Sequence, residues 1–176
     1  MGSGGVIAAA AVAGVVAFGA GGLAAPADPD ELWRDEGLRV VDRATREDAE
    51  CVSHSFGRVQ ELLKVAPCVA LDRMLLTVTD DRGSTAVVFL AWVEFADRDR
   101  AREFKRVEDI HGTGDITPLP GSLLRIADVP FTAHNYDSDL VDGATVVIAE
   151  AENVAGGFTA GYLDDLAALA VRTPRP

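Results

Sequence analysis

The sequence predicts an α+β domain: one antiparallel sheet with helices on one face, on the split βαβ pattern of ferredoxin-like folds, completed by a late hairpin and a C-terminal helix. Three observations predict it. Short segments are apolar at alternating or consecutive positions, as strands are; other segments repeat apolar residues at spacings of three and four, as helices do; and turn residues separate the two kinds. The 176 residues suit one folded domain with a well-buried core.

Residues 38–42 (LRVVD) are the candidate first strand. Thr45 can cap the free amides of a following helix, whose positive end suits Glu47 and Asp48. Ala49, Val52, Phe56, Val59 and Leu63 then form one apolar stripe, and Pro67 marks its stop. A strand over 73–79 places Met74, Leu76 and Val78 on one face, and residues 80–84 (DDRGS) turn the chain. Residues 85–95 (TAVVFLAWVEF) are apolar on both faces and belong in the middle of a sheet. The face away from the helices then needs a cover: the C-terminal helix, the late hairpin or a second copy of the chain.

Asp97 caps the next helix, whose inward residues are Ala101, Phe104, Val107 and Ile110, with Gly112 placed to end it. More sheet follows: a weakly patterned segment over 116–127, then 131–136, then 144–152 (ATVVIAEAE) after the turn signal Asp142-Gly143. Pro130 marks an edge or a break. Residues 159–172 carry Leu163, Leu166, Ala167, Leu169 and Ala170 on one side of a last amphipathic helix.

The ends of the chain bear on location. Residues 1–27 have no charged side chain, and a helix over 5–25 would be about 31 Å long, the thickness of a bilayer core. Two membrane readings stand: a single-pass anchor through residues 5–25, or a signal peptide cleaved after the small-x-small site Ala25-Pro26-Ala27. A flexible Ala/Gly arm is the alternative to both. The first basic residue is Arg34, beyond the apolar run, so a basic leader upstream of Met1 is expected. The acidic flank after the run places the rest of the chain outside the cytoplasm by the positive-inside rule. Residues 28–37 read as an acidic linker, 38–172 as the domain, and 173–176 as a frayed tail.

Charge narrows the partners. A formal net charge of -12 repels phosphate backbones, so nucleic acid is not an expected partner. A second copy of the chain or an envelope protein is.

The strings ECVSHSFGRVQELL (50–63), PCVALDR (67–73), AWVEF (91–95), HGTGDI (111–116) and DGATVV (142–147) resemble a group of actinobacterial single-pass or secreted envelope proteins of unassigned function. The resemblance covers roughly residues 41–152 and rests on scattered short motifs. It implies an apolar N-terminus followed by one small domain at the cell envelope, and no catalytic residues.

Export would expose Cys51 and Cys68 to an oxidising compartment, where they would pair. An unbroken helix over 46–65 would hold positions 51 and 65 about 21 Å apart, and three more residues reach at most about 11 Å. Disulfide Cα atoms must lie within about 7 Å, so the bond requires a break near Ser53-His54-Ser55 or at Gly57. Two free buried thiols are the alternative.

No catalytic set is evident. Ser53 and Ser55 are too close to His54 along one helix to act as nucleophile and base, and neither GxSxG nor HExxH occurs. The loop 135–143 begins like a calcium loop but has Leu140 where glycine is required and Val146 where glutamate is. Gly112-Thr113-Gly114 follows a helix, whereas a phosphate loop precedes one. These readings leave no cofactor and no metal ligand set. The candidate pocket or interaction residues are His111 and His134, together with Arg102, Lys105 and Arg106, which concentrate basic charge on an acidic domain. The function these observations imply is a non-enzymatic extracytoplasmic binding or interaction module of the bacterial cell envelope. The alternative is a small enzyme or ligand carrier using a cleft between sheet and loops, which gains if His111 or His134 lines a deep apolar cavity with carboxylates.

Overall fold

The computed structural model describes residues 28–176. The anchor and signal readings of residues 1–27 lie outside it. Among the described residues no helix is long and apolar enough to cross a membrane.

The domain is α+β, with one five-stranded antiparallel sheet and four α-helices. In chain order these are α1 (Glu31–Asp35), β1 (Arg39–Asp48), α2 (Gly57–Val65), β2 (Ala70–Thr79), β3 (Thr85–Glu94), α3 (Arg98–Glu108), β4 (Tyr136–Val141), β5 (Thr145–Ala155) and α4 (Ala160–Ala170). The strands lie in the order β1-β2-β3-β5-β4, and every neighbouring pair is antiparallel. Strands β3 and β4, joined through α3, therefore run parallel with β5 between them, which is the arrangement of a split βαβ unit.

Strand β3 is central and buried on both faces, as its continuous apolar run requires. Ala86, Val88, Leu90 and Trp92 point to one side, where α4 and Trp33 of α1 cover them. Val87, Phe89, Ala91 and Val93 point to the other, where they meet Val59 and Leu63 of α2 and Ala101 and Phe104 of α3. Helices therefore pack on both faces, not one. The C-terminal helix supplies the second cover, because Leu163, Leu166, Leu169 and Ala170 form the stripe that fits it.

Three local readings are corrected. Residues 45–48 do not begin a helix: they continue β1 in register with β2, Thr45 opposite Met74 and Asp48 opposite Leu71. Asp48 accepts hydrogen bonds from the nearly buried guanidinium of Arg73 instead of facing helix amides. The ladder overrides a local capping signal there. The acidic linker is part of the domain, since Trp33 is fully buried in the core on the α4 side. The C-terminal residues are held: Thr173 is buried, and Arg175 pairs with Asp72 and with Glu94, the latter at 2.7 Å.

The helix expected over 46–65 is interrupted. A single 3₁₀ turn spans Val52–His54, Ser55 and Phe56 are extended, and Gly57 opens α2 at φ +65°. That break folds Cys51 back to within 6.1 Å (Cα–Cα) of Cys68, and the two form a disulfide. Other signals read as expected. Asp97 accepts from the Arg100 amide and Thr159 from the Tyr162 amide, capping α3 and α4. Asp142 and Gly143 both take positive φ in the β4–β5 turn. Residues 131–135, by contrast, are irregular, and β4 begins only at Tyr136.

Candidate functional site

The most chemically loaded region lies on the α2/α3 side of the sheet, where the strings SHSFGR and HGTGDI meet. Phe56 N–H donates to Asp115 O at 3.0 Å, Arg58 N–H to Thr113 O at 2.6 Å, and Thr117 N–H to His54 O at 2.7 Å. Two glycines permit this approach. A Cβ on Gly57 would stand 2.4 Å from Thr113 O, and one on Gly114 would stand 2.1 Å from Phe56 O. Only backbone fits at this crossing. Arg73 anchors the same loop from the sheet, donating to Thr117 O at 2.9 Å while it pairs with Asp48.

The crossing presents Asp115 to two glutamates from distant parts of the chain. Glu150 sits on the inward face of β5, two residues beyond Ile148, and Glu108 is the last residue of α3. Both are buried, 4% and 5% exposed. Asp115 lies beside each of them, and its carboxyl group favours the protonated form of both glutamates. Burial, first, and then the neighbouring carboxylates push Glu150 up to about 8. Burial and the charges of Asp115, Glu150 and Asp109 raise Glu108 well above the carboxylate range. Its place at a helix C-terminus also disfavours negative charge. No N–H or hydroxyl reaches either of its oxygens.

The surroundings hold this cluster in place. Ala133, in the left-handed region at φ +54°, donates its N–H to Glu150 Oε2 at 2.6 Å. A non-glycine residue there costs of order 1–3 kcal/mol and persists only where neighbours fix it. Tyr136 lies opposite Glu150 across the β4–β5 ladder and donates its hydroxyl to Asp109 at 3.3 Å. Burial, with the charge of Glu108 next, raises the Tyr136 hydroxyl far above the phenol range, so it remains a donor.

Two spaces adjoin the cluster. One is a cavity of about 80 Å³ bounded by Glu108, Asp109, His111, Asp115 and Tyr136. The other is a groove of about 480 Å³ between sheet and loops. Phe56, Pro118, Leu119, Val129 and Phe131 give it apolar walls. Asp115, Glu150 and Asp128 also line it, and no Lys, Arg or His does.

The expected site residues are partly brought together. His111 and His134 meet edge to face, ring centroids 5.1 Å apart, beside the smaller cavity and not in the apolar groove. His134 also contacts Thr132 Oγ1 at 3.1 Å. The basic residues of α3 are largely engaged locally. Lys105 bonds Asp109 at 2.9 Å and Ser138, Arg102 lies 3.8 Å from Asp99, and Arg106 donates to the Arg102 carbonyl. His54 is not a plain helix residue: it pairs with Asp48 at 3.2 Å from the 3₁₀ turn. Among the described residues no group of three or more His, Cys, Asp or Glu side chains is arranged to hold a metal ion. The calcium-like loop is strand β4 and its turn.

Glu108, Asp115 and Glu150 were not among the sequence candidates, yet signals for the two glutamates exist. Glu150 falls on the face of Val146 and Ile148 in an otherwise apolar strand, and Glu108 follows Ala101 and Phe104 at helical spacing. A comparison of the chain with known protein families, with characterised proteins and with solved structures finds no match.

Proposed function

We propose that the chain is a non-enzymatic binding module working outside the cytoplasm at a bacterial cell envelope, and that the groove between sheet and loops receives its ligand or partner. The groove carries this reading: a space of about 480 Å³ in which apolar walls converge on a few carboxyl groups. Ligand sites have this composition, with apolar surface supplying affinity and sparse polar groups fixing orientation. The Cys51–Cys68 bond supports the location, because structural disulfides persist in oxidising compartments. So does the apolar, uncharged character of residues 1–27.

A thermal-shift screen of the full chain against amines, peptides and glycans tests the groove. Stabilising compounds are expected, and Val129→Trp, which narrows the groove at a half-buried position, is expected to abolish their effect. Compounds that stabilise both chains equally would overturn the assignment.

A second reading, a small enzyme or ligand carrier, is favoured by one observation. Glu150 lies beside Asp115 in the groove lining, and burial, with Asp115 next, pushes its carboxyl up to about 8, which suits proton transfer to a molecule held there. Turnover of a bound compound that Glu150→Gln abolishes would select it.

A further inference from the structure

Resting on the groove assignment above, we infer that the ligand is an organic cation: a primary amine or guanidinium carried on an aromatic or aliphatic body. The groove is complementary to such a ligand in charge and in shape. Phe56, Leu119, Val129 and Phe131 form walls that suit an apolar body. Asp115, Asp128 and Glu150 are the ionisable groups lining the same space. Each accepts one backbone amide, Asp128 from Gly121 at 2.8 Å, Asp115 from Ile116 at 2.5 Å and Glu150 from Ala133 at 2.6 Å, which leaves a second carboxyl oxygen on each. Asp115 and Glu150 face each other and Glu108 behind them, three acids whose mutual repulsion is relieved by held protons. A cation placed between Asp115 and Glu150 relieves the same repulsion, and an anion or a neutral group does not.

The carboxyl cluster is distinguished from a solvated acidic patch by Glu108. It is nineteen-twentieths buried, neither of its oxygens receives a donor, and it is aimed at the small cavity on the other side of Asp115. Buried acids without donors are rare and point to a missing positive partner or a shared proton. The ionisable groups around Glu150 are Glu108 of α3, Asp115 of the HGTGDI loop, Tyr136 of β4 and Glu152 of β5. All are acids or a phenol. Capture of a cation at neutral pH is therefore coupled to loss of a proton from the cluster.

Calorimetric titration of the full chain at pH 7 with three probes of matched shape tests the inference: 2-phenylethylamine, 2-phenylethanol and 3-phenylpropanoate. The amine is expected to bind at least tenfold more tightly than the alcohol, and the carboxylate more weakly than both, since a charge-assisted contact is worth about twice a neutral one. Repeating the amine titration in buffers of different ionisation enthalpy is expected to reveal proton release. Asp115→Asn, which keeps an acceptor for the Ile116 amide, is expected to lower amine affinity at least tenfold and to narrow the gap between amine and alcohol. Equal binding of amine and alcohol would overturn the cation inference and leave the groove assignment standing. Binding of none of the three would overturn both.

Discussion

Reduction of the Cys51–Cys68 bond is expected to lower the stability of the domain by about 3 kcal/mol, the loop-closure value for a loop of this length. The bond closes a separation of 17 residues containing the 3₁₀ turn, the break at Ser55–Gly57 and all of α2. Without it those residues regain conformational freedom in the unfolded chain, while Val59 and Leu63 still anchor α2 to the sheet. The reduced chain should therefore remain folded and unfold at a lower urea concentration. In a domain of this size the melting temperature should fall by about 6–12 °C. Urea denaturation with and without reductant checks it, and identical midpoints would show that the bond carries no stability. The same preparation bears on location. Protein taken from the envelope should show no alkylatable thiol before reduction, whereas two reactive thiols would contradict an oxidised, exported domain.

The second large effect concerns pH and comes from Glu150. Its folded-state value, about 8, lies above the ordinary 4.5, so the folded chain holds a proton that the unfolded chain has released across that window. Stability is full below about pH 4.5 and falls as pH rises toward 8. Glu108, raised in the same direction, extends the loss to higher pH. Glu150→Gln removes the proton from this account while keeping a carbonyl to accept the Ala133 amide. The variant is expected to equal the parent chain near pH 4.5 and to exceed its stability at pH 8.5 by on the order of 3 kcal/mol. Urea midpoints measured from pH 4.5 to 9 check it. Parallel curves for the two chains would mean that Glu150 ionises at its ordinary pH despite its burial.

Much of the fold was legible because it depends on local chemistry. Period-two alternation placed Met74, Leu76 and Val78 together, spacings of three and four placed Ala101 with Phe104, and Asp97 and Asp142-Gly143 marked a cap and a turn. The sequence left a straight helix with two free thiols or a broken helix with a disulfide, because two cysteines 17 residues apart cannot meet across a straight helix, and the structure has the break and the bond. What failed was decided by distant partners. Thr45-Arg46-Glu47-Asp48 has the local chemistry of a helix start, and only pairing with β2 and the Arg73 guanidinium makes it strand. Trp33 lies in a stretch that looks like linker until α4 provides the core that buries it.

The site was less legible than the fold, for the same reason. His111 and His134 were singled out and do meet, but beside the smaller cavity. The acids that line the groove, Asp115, Asp128 and Glu150, are drawn from two loops and from β5, and Glu108 of α3 adjoins them at the smaller cavity. Each reads by itself as an ordinary charged residue. The glycines of HGTGDI read as helix-ending residues, but α3 ends at Glu108 with Asp109 as its cap, and Gly112, at φ +78°, lies in the turn that follows. Gly114 serves a different need, the close backbone approach to Phe56 and Gly57 that sets Asp115 in place. Adding a side chain there would displace the segment that carries the acid.

The carboxyl cluster of Glu108, Asp115 and Glu150, beside the apolar groove, holds protons that exposed carboxylates release. The most direct test is a pH titration of the side-chain carboxyl carbons of ¹³C-labelled glutamate, with the Glu150 resonance assigned through its absence in Glu150→Gln. The account predicts a midpoint for Glu150 near 8, displaced when Asp115 is replaced by asparagine. A midpoint at the ordinary 4.5, unmoved by that replacement, would contradict it.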